Sequence, residues 1–148
     1  MLTFLTMIAM ISNAPISDNE DAGESIHADM LSQAYQECSS KAAPRAIDAE
    51  QGDCTRAEIA RADIELNRLW AQVLSAAEGR NSETGRALLE EQRAWIAYKS
   101  ANCRHYYISS AGTMETQLFG PWCELITIED RIKYLEGVLV EFSNSIDQ

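Results

Sequence analysis

Apolar residues recur at steps of three and four along most of this 148-residue chain, and this spacing is the period of an amphipathic α-helix. A first helix is predicted over Ile26 to Cys38. A second begins near Thr55, and its apolar stripe comprises Ile59, Ala62, Leu66, Leu69, Trp70, Val73, Leu74 and Ala77. No segment alternates between apolar and polar residues as a half-buried strand would. The pattern predicts an all-α fold, a small bundle of about four helices.

Local signals predict where the second helix begins and ends. Thr55-Arg56-Ala57-Glu58 fits a capping box, in which the hydroxyl and the carboxylate accept hydrogen bonds from free amides at a helix start. Gly79 is expected to end this helix, and Asn81 or Ser82 can cap the next one. The polar stretch 39–53 is predicted to connect the first two helices.

The third helix is predicted over Glu83 to Tyr107 and is expected to be the central element of the bundle, with Trp95 and Ile96 facing the core. Two polar residues share that face. Gln92 needs hydrogen-bond partners if it is buried, and Lys99 can lay its methylenes along the core while its charge reaches the edge.

The fourth helix is predicted to begin near Thr127, with Asp130 placed to complete a capping pattern. Its apolar seam comprises Ile128, Ile132, Leu135, Leu139 and Phe142. The stretch 109–122 before it is predicted to be a loop, although it is unusually apolar.

Four cysteines lie near the predicted helix ends, and an even number suggests two disulfides in an oxidising compartment. The simplest of the three connectivities pairs Cys38 with Cys54 and Cys103 with Cys123, so that each bond staples one helix hairpin. No CxxC motif occurs, but a zinc site of four cysteines remains an alternative on their number alone.

The N-terminus predicts export. Residues 1–14 resemble a signal peptide, because an apolar run over Leu2 to Ile11, too short to span a bilayer, precedes the small residues Ser12-Asn13-Ala14. No Lys or Arg precedes the run, and a buried N-terminal helix is the alternative. Residues 15–25 are expected to be a flexible acidic leader, and residues 26–148 the helical domain. The expected location is periplasmic or secreted, with no membrane span.

The chain has 12 basic and 23 acidic residues, for a net charge of −11. This charge disfavours nucleic acid and anionic membranes as partners, because both carry negative charge. It favours a basic protein partner, and a merely solvated acidic surface is the alternative.

No residue pattern predicts catalysis, a cofactor or a metal. The two histidines are His27 and His105, and His105 lies near Cys103, which is expected to be oxidised and therefore unavailable as a nucleophile. Adjacent carboxylates such as Glu129-Asp130 point to different helix faces, which favours charged helix surface. No phosphate-binding glycine loop and no metal-ligand spacing are present. The chain is predicted not to be an enzyme.

What remains is a binding surface, and the apolar loop before the fourth helix is the best candidate. A disulfide that closes the loop would order it before binding and so reduce the entropy lost on binding. The candidate partner-binding residues are Gly112, Thr113, Met114, Glu115, Phe119 and Trp122. The alternative is that Leu118, Phe119 and Trp122 fold under as a lid over the core.

The chain carries three motifs, which are Asp63-Ile64-Glu65-Leu66-Asn67 with Trp70, Gln92-Arg93-Ala94-Trp95-Ile96 with Cys103, and Gly112-Thr113 with Cys123. In combination, these motifs resemble the LprI-like lysozyme-inhibitor domain family. The resemblance covers roughly Tyr35 to Leu139. The motif residues expected to have structural roles are Asp63, Leu66, Asn67, Trp70, Gln92, Arg93 and Trp95. Ala111-Gly112-Thr113 stands where family members often have Gly-Gly-Ser, and no lipobox is present.

The resemblance implies an exported helical domain with paired cysteines that inhibits lysozyme. Lysozymes that attack bacteria are commonly strongly basic, so the charge of this chain is compatible with such a partner. The alternative is an extracytoplasmic helical binding or structural module with a different protein partner, because a fold does not determine a function.

Overall fold

The computed structural model describes residues 31–42 and 47–146. This part of the chain contains no strand, which confirms the all-α prediction, and its four α-helices are α1 (Gln33–Ser39), α2 (Ile47–Ala76), α3 (Glu83–Asn102) and α4 (Gly120–Ile146). Between α3 and α4 lie a 3₁₀ turn, Arg104–Tyr107, and a π turn, Glu115–Phe119. The predicted signal peptide 1–14, the predicted leader 15–25 and residues 26–30 of the predicted first helix lie outside the described residues.

The core lies between the two long helices, α2 and α4, which share the most extensive interface in the described part of the chain. It consists of Ala62, Leu66, Leu69, Val73, Leu125, Ile128, Ile132 and Leu135. All of them except Leu125, which precedes the predicted start of the fourth helix, belong to the apolar stripes predicted for the second and fourth helices, and those stripes are confirmed. Each fully buried leucine or isoleucine contributes on the order of 1.5–3 kcal/mol of transfer free energy to folding.

The prediction that the third helix is central was wrong. Ile96 is 52% exposed, and Trp95 is only half-buried, packing against the edge of the core. The apolar stripe of α3 is interrupted by Gln92 and Lys99, whereas those of α2 and α4 are continuous. Burial of the continuous stripes therefore joins α2 to α4, and α3 lies beside them, mainly against α4.

The predicted start of the second helix was also wrong. Because α2 begins at Ile47, Thr55 lies two turns inside the helix, where it is buried and its hydroxyl donates to the Gln51 carbonyl at 2.9 Å. The Glu58 carboxylate instead accepts hydrogen bonds from the backbone amide and the hydroxyl of Ser32, at 2.8 and 2.7 Å. Ser32 is the N-cap residue of α1, so Glu58 stabilises the start of a neighbouring helix.

Two glycines are required by the path of the chain. Gly52 lies in α2 where the π turn packs against it, and a Cβ there would overlap the carbonyl oxygen of Gln117. Gly79 follows the end of α2 with a φ of 86°, a conformation that favours glycine. The predicted stop at Gly79 is confirmed, and so is the cap of α3, since the Ser82 hydroxyl accepts from the Gly85 amide at 2.8 Å.

The fourth helix begins at Gly120, seven residues before the predicted Thr127. Pro121 fits the first turn because the amide it lacks would have no partner inside the helix. Thr127 is buried within α4, where its hydroxyl donates to the Cys123 carbonyl at 2.8 Å and accepts from Asn102 Nδ2 at 3.0 Å. The hydroxyl therefore links α3 to α4 instead of capping a helix.

Both predicted disulfides are present. Cys38–Cys54 joins the end of α1 to α2, and Cys103–Cys123 joins the end of α3 to the first turn of α4. All four cysteines are thus bonded, which excludes the zinc alternative. The bonds span 16 and 20 residues, and closing loops of this length stabilises a fold by about 3 kcal/mol each. Within the described residues, no helix is both long and apolar enough to cross a membrane.

Candidate partner-binding surface

An open groove lies where the end of α3 faces the beginning of α4. Its volume is about 420 Å³, and its aromatic lining residues are Tyr98, Tyr106, Phe119 and Trp122. Tyr98 is 56% exposed and Phe119 is 42% exposed, so the rings are available to a partner. We refer to this feature as the aromatic groove.

The two walls of the aromatic groove are fixed to each other. The Cys103–Cys123 disulfide joins them covalently, and the hydrogen bond from Asn102 to Thr127 joins them a second time. Cys103 and Thr127 are buried, whereas Cys123 is half-buried and lines the groove. A groove whose walls are already connected loses little conformational entropy when it binds a partner.

The rings of the aromatic groove also support one another. The centroids of Tyr106 and Phe119 lie 6.3 Å apart with their planes tilted by 59°, and this separation is within the range of interacting aromatic pairs. Trp122 packs against the core and lies 6.3 Å from the ring of Tyr35 on α1. Trp122 therefore anchors the groove to the fold, while Phe119 stands at its exposed edge.

The structure divides the predicted binding loop into two parts. Only Phe119 and Trp122 line the aromatic groove. Gly112, Thr113 and Met114 are exposed and Glu115 is half-buried, and these four precede or begin the π turn. The lid alternative fits Trp122, which contacts the core, but it does not fit Phe119, which is 42% exposed.

Two groove residues on α3 and the following turn, Tyr98 and Tyr106, were not among the predicted site residues. Their spacing of eight, with Asn102 midway, places all three on one side of the chain if it stays helical. That periodicity was available in the sequence. It did not reveal that this side of α3 would face α4.

Next to the aromatic groove, Arg131 of α4 is buried, with 5% exposure, and each of its three guanidinium nitrogens donates a hydrogen bond. Its guanidinium donates to Gln92 Oε1 at 2.7 Å and to Glu91 Oε1 at 2.6 Å. It also lies 5.5 Å from the ring centroid of Trp95 and 4.7 Å from that of Tyr134, both cation–π distances. The partner that Gln92 was expected to need is therefore Arg131, and this cluster holds α3 against α4.

The remaining motif residues are distributed over α2 and α3. Asp63 forms an ion pair with Lys99, with 3.1 Å between Oδ1 and Nζ, and this pair connects α2 to α3. Asn67 Nδ2 donates to the Asp63 carbonyl at 2.7 Å within α2. The other three are Leu66 in the core, Trp70 packed against it, and Arg93 on the exposed side of α3.

Cys103 is unavailable as a nucleophile, as expected from the sequence. Cys103 is in a disulfide, and the His105 ring lies against Tyr106 with centroids 4.0 Å apart. His27 lies outside the described residues. Within residues 31–42 and 47–146, no three His, Cys, Asp or Glu side chains are grouped so that they could hold a metal ion.

Residues 38–135 match the family model described as "Lysozyme inhibitor LprI". A search of curated proteins and a search of solved structures found no match. The matched span covers more than half of the chain, and it includes both disulfides, the aromatic groove and all the motif residues that suggested the resemblance. The chain therefore belongs to the LprI lysozyme-inhibitor family.

Proposed function

We propose that this protein is an exported inhibitor of a basic lysozyme, and that it binds the enzyme through the aromatic groove. The observation that carries the proposal is the combination of family membership with a preformed, exposed aromatic surface. The two disulfides favour action outside the cytoplasm, because such bonds persist in oxidising compartments.

The composition of the aromatic groove suits protein recognition. Tyr, Trp and Phe are enriched at protein interfaces and often supply most of the binding energy. Phe119 and Tyr98 present exposed rings, and Asp130 adds a carboxylate on the same side. A basic partner could therefore bury the rings and pair one of its cations with Asp130.

The net charge of −11 supports the choice of a basic enzyme. An acidic protein attracts a basic one at long range, which raises the rate of association more than the final affinity. This attraction is screened over about 8 Å at physiological ionic strength. Inhibition should therefore weaken as salt is added.

Inhibition of this kind needs no chemistry by the inhibitor. A bound protein that covers the substrate cleft prevents the polysaccharide from entering. The expected kinetic pattern is competition with the cell-wall substrate, so that more substrate restores turnover.

The proposal is tested by measuring lysozyme turnover against increasing concentrations of the purified protein, with several lysozyme types, at low and moderate salt. We expect inhibition of a basic lysozyme at micromolar concentration, weaker at the higher salt. A lysozyme that retains full turnover at that concentration is not the target. Full turnover by every type would refute the function and favour a helical binding module with a different partner.

A further inference from the structure

A second concave site lies between α2 and α4, and it shares no lining residue with the aromatic groove. It encloses about 350 Å³, at the lower end of the range typical of ligand pockets. Part of its wall is apolar, formed by Ala62 and Ile132, and the rest comprises four glutamates and two bases. We refer to it as the glutamate pocket.

Glu129 is the unusual residue of the glutamate pocket. It is only 7% exposed, yet it makes no hydrogen bond or ion pair with any residue in the described part of the chain. Lys133, one turn further along α4, attracts the carboxylate from outside ion-pair distance. A buried carboxylate without a partner is costly, so it is a site to which a cation would be drawn.

Two of the three other carboxylates that line the pocket are already satisfied. Glu58 is equally buried but accepts two hydrogen bonds from Ser32 and forms an ion pair with Arg61. Glu65 is paired with Arg68 at 2.5 Å. The fourth, Glu136, forms no hydrogen bond or ion pair with the described residues, but it is exposed and can be hydrated by water. Of the two buried carboxylates in the glutamate pocket, Glu58 is therefore satisfied and Glu129 is not.

The walls indicate what kind of cation fits. The described residues include no group of three acidic, histidine or cysteine side chains arranged to hold a metal ion. The apolar wall of Ala62 and Ile132 can instead accommodate the methylenes of a long side chain, whose charged end then reaches the carboxylate. An arginine side chain suits the site best, because its guanidinium binds a carboxylate through two parallel hydrogen bonds.

We propose that the glutamate pocket receives one arginine or lysine side chain of the partner protein, with the Glu129 carboxylate as its ion-pair partner. The inference deepens the proposed function and rests on it for the basic protein that presents the side chain. It adds a contact point separate from the aromatic groove, so that a partner would be held at two places.

Proton binding at Glu129 should be linked to cation binding. Burial, and then the charge of Glu58, raise the pKa of Glu129 to about 7. The other charged groups facing the carboxylate are Arg61 and Glu65 on α2 and Asp130, Lys133 and Glu136 on α4. Because a cation needs the ionised carboxylate, binding should be about tenfold weaker at pH 6 than at pH 8, where Glu129 is mostly ionised.

The test uses the whole ¹⁵N-labelled protein, titrated with N-acetyl-arginine amide and observed by two-dimensional NMR. N-acetyl-citrulline amide, which has nearly the same shape without the charge, is the matched control ligand. We expect saturable shifts of backbone amides in 58–65 and 129–136 with the arginine compound only, and tenfold weaker binding at pH 6. Equal shifts with both compounds, shifts that do not saturate, or binding independent of pH between 6 and 8 would overturn the proposal.

A variant assigns the binding to one carboxylate. Glu129→Gln keeps the size of the side chain and removes its charge, and it should lose the saturable shifts. Glu141→Gln removes an exposed acid from the same helix outside the pocket and should keep them. Saturable binding that persists in Glu129→Gln would refute the role of Glu129. The pH dependence of arginine binding to the wild-type protein tests the same site without any substitution.

Lysozyme turnover distinguishes this inference from the proposed function. Glu129→Gln should raise the inhibition constant at least fivefold at pH 8, while Glu141→Gln should leave it within twofold. Equal inhibition by Glu129→Gln and the wild-type protein would overturn the docking of a lysozyme side chain in the pocket. Absence of inhibition by the wild-type protein would instead refute the proposed function, and the NMR titration would still report on the pocket.

Discussion

Replacing Glu129 by glutamine should stabilise the folded protein above neutral pH. In the wild-type protein this buried carboxylate has no hydrogen-bond partner among the described residues, and Glu58 faces it across the glutamate pocket. Ionised Glu129 therefore suffers both desolvation and repulsion in the folded state. Glutamine fills nearly the same volume without a charge.

The magnitude follows from the two pKa values of Glu129, about 7 when folded and 4.5 as the ordinary value. At pH values between these two pKa values, the folded state binds more protons than the unfolded state, so the free energy of unfolding falls as pH rises. Each pH unit corresponds to about 1.4 kcal/mol, so the full loss is on the order of 3 kcal/mol and is complete above pH 7. Glu129→Gln should avoid this loss.

The assay is urea unfolding followed by tryptophan fluorescence, at intervals from pH 4 to pH 8 with the disulfides intact. Glu129→Gln should match the wild-type protein at pH 4, where Glu129 is protonated, and exceed its free energy of unfolding by about 3 kcal/mol at pH 8. Glu141→Gln is the matched control, and its difference from the wild-type protein should stay within about 0.5 kcal/mol throughout. A constant difference between Glu129→Gln and the wild-type protein, or a less stable variant at pH 8, would refute the reasoning.

Three further predictions concern the stability of the fold. Reduction of both disulfides should lower the free energy of unfolding by about 3 kcal/mol for each bond, and an unchanged thermal melt with reductant would contradict this. Arg131→Ala should lower the free energy of unfolding, measured with urea, by about 2–3 kcal/mol because buried charged hydrogen bonds are removed. Arg93→Ala, at an exposed position, should change the free energy of unfolding little. Equal effects of the two substitutions would disprove the structural role of Arg131. Gly52→Ala should destabilise by more than about 1 kcal/mol because its Cβ meets the Gln117 carbonyl, whereas Gly137→Ala, with open space around it, should stabilise by about 0.5–1 kcal/mol in thermal melts. If Gly52→Ala were the more stable of the two glycine variants, the π turn would not be in close contact with α2 at Gly52.

The two stripes that form the core were predictable because they are long and uninterrupted. Val73, Ile128 and Leu135 are buried because hydrophobic burial joins the two most continuous apolar faces, and this preference can be recognised from periodicity alone. The disulfide pairing was predictable for a related reason, since each bond joins neighbouring helices across one connection.

The predicted helix starts at Thr55 and Thr127 failed because a capping motif is a local signal. Tertiary contacts allow both helices to begin earlier than the capping motif indicates, at Ile47 and Gly120. The Glu58 carboxylate found donors at Ser32 of another helix, and the Thr127 hydroxyl found Asn102. A threonine hydroxyl can also be satisfied inside a helix by the carbonyl four residues earlier.

The sites themselves depend on how the helices are rotated against one another, which periodicity does not determine. Glu129 was expected on a charged surface together with Asp130, and the rotation of α4 against α2 buries it instead. Tyr98 enters the aromatic groove because the same side of α3 that carries it faces α4. These placements require the packed structure.

The measurement that tests the central claim most directly is the inhibition constant of the Phe119→Ala variant against a basic lysozyme that the wild-type protein inhibits. Phe119 is exposed at the edge of the aromatic groove, so its removal should leave the fold intact and raise the inhibition constant at least tenfold, or about 1.4 kcal/mol. Ile64→Ala is the control, because Ile64 is an exposed apolar residue of α2 that lines neither site, and its inhibition constant should stay within twofold. Equal inhibition by Phe119→Ala and the wild-type protein would show that lysozyme is not bound through the aromatic groove.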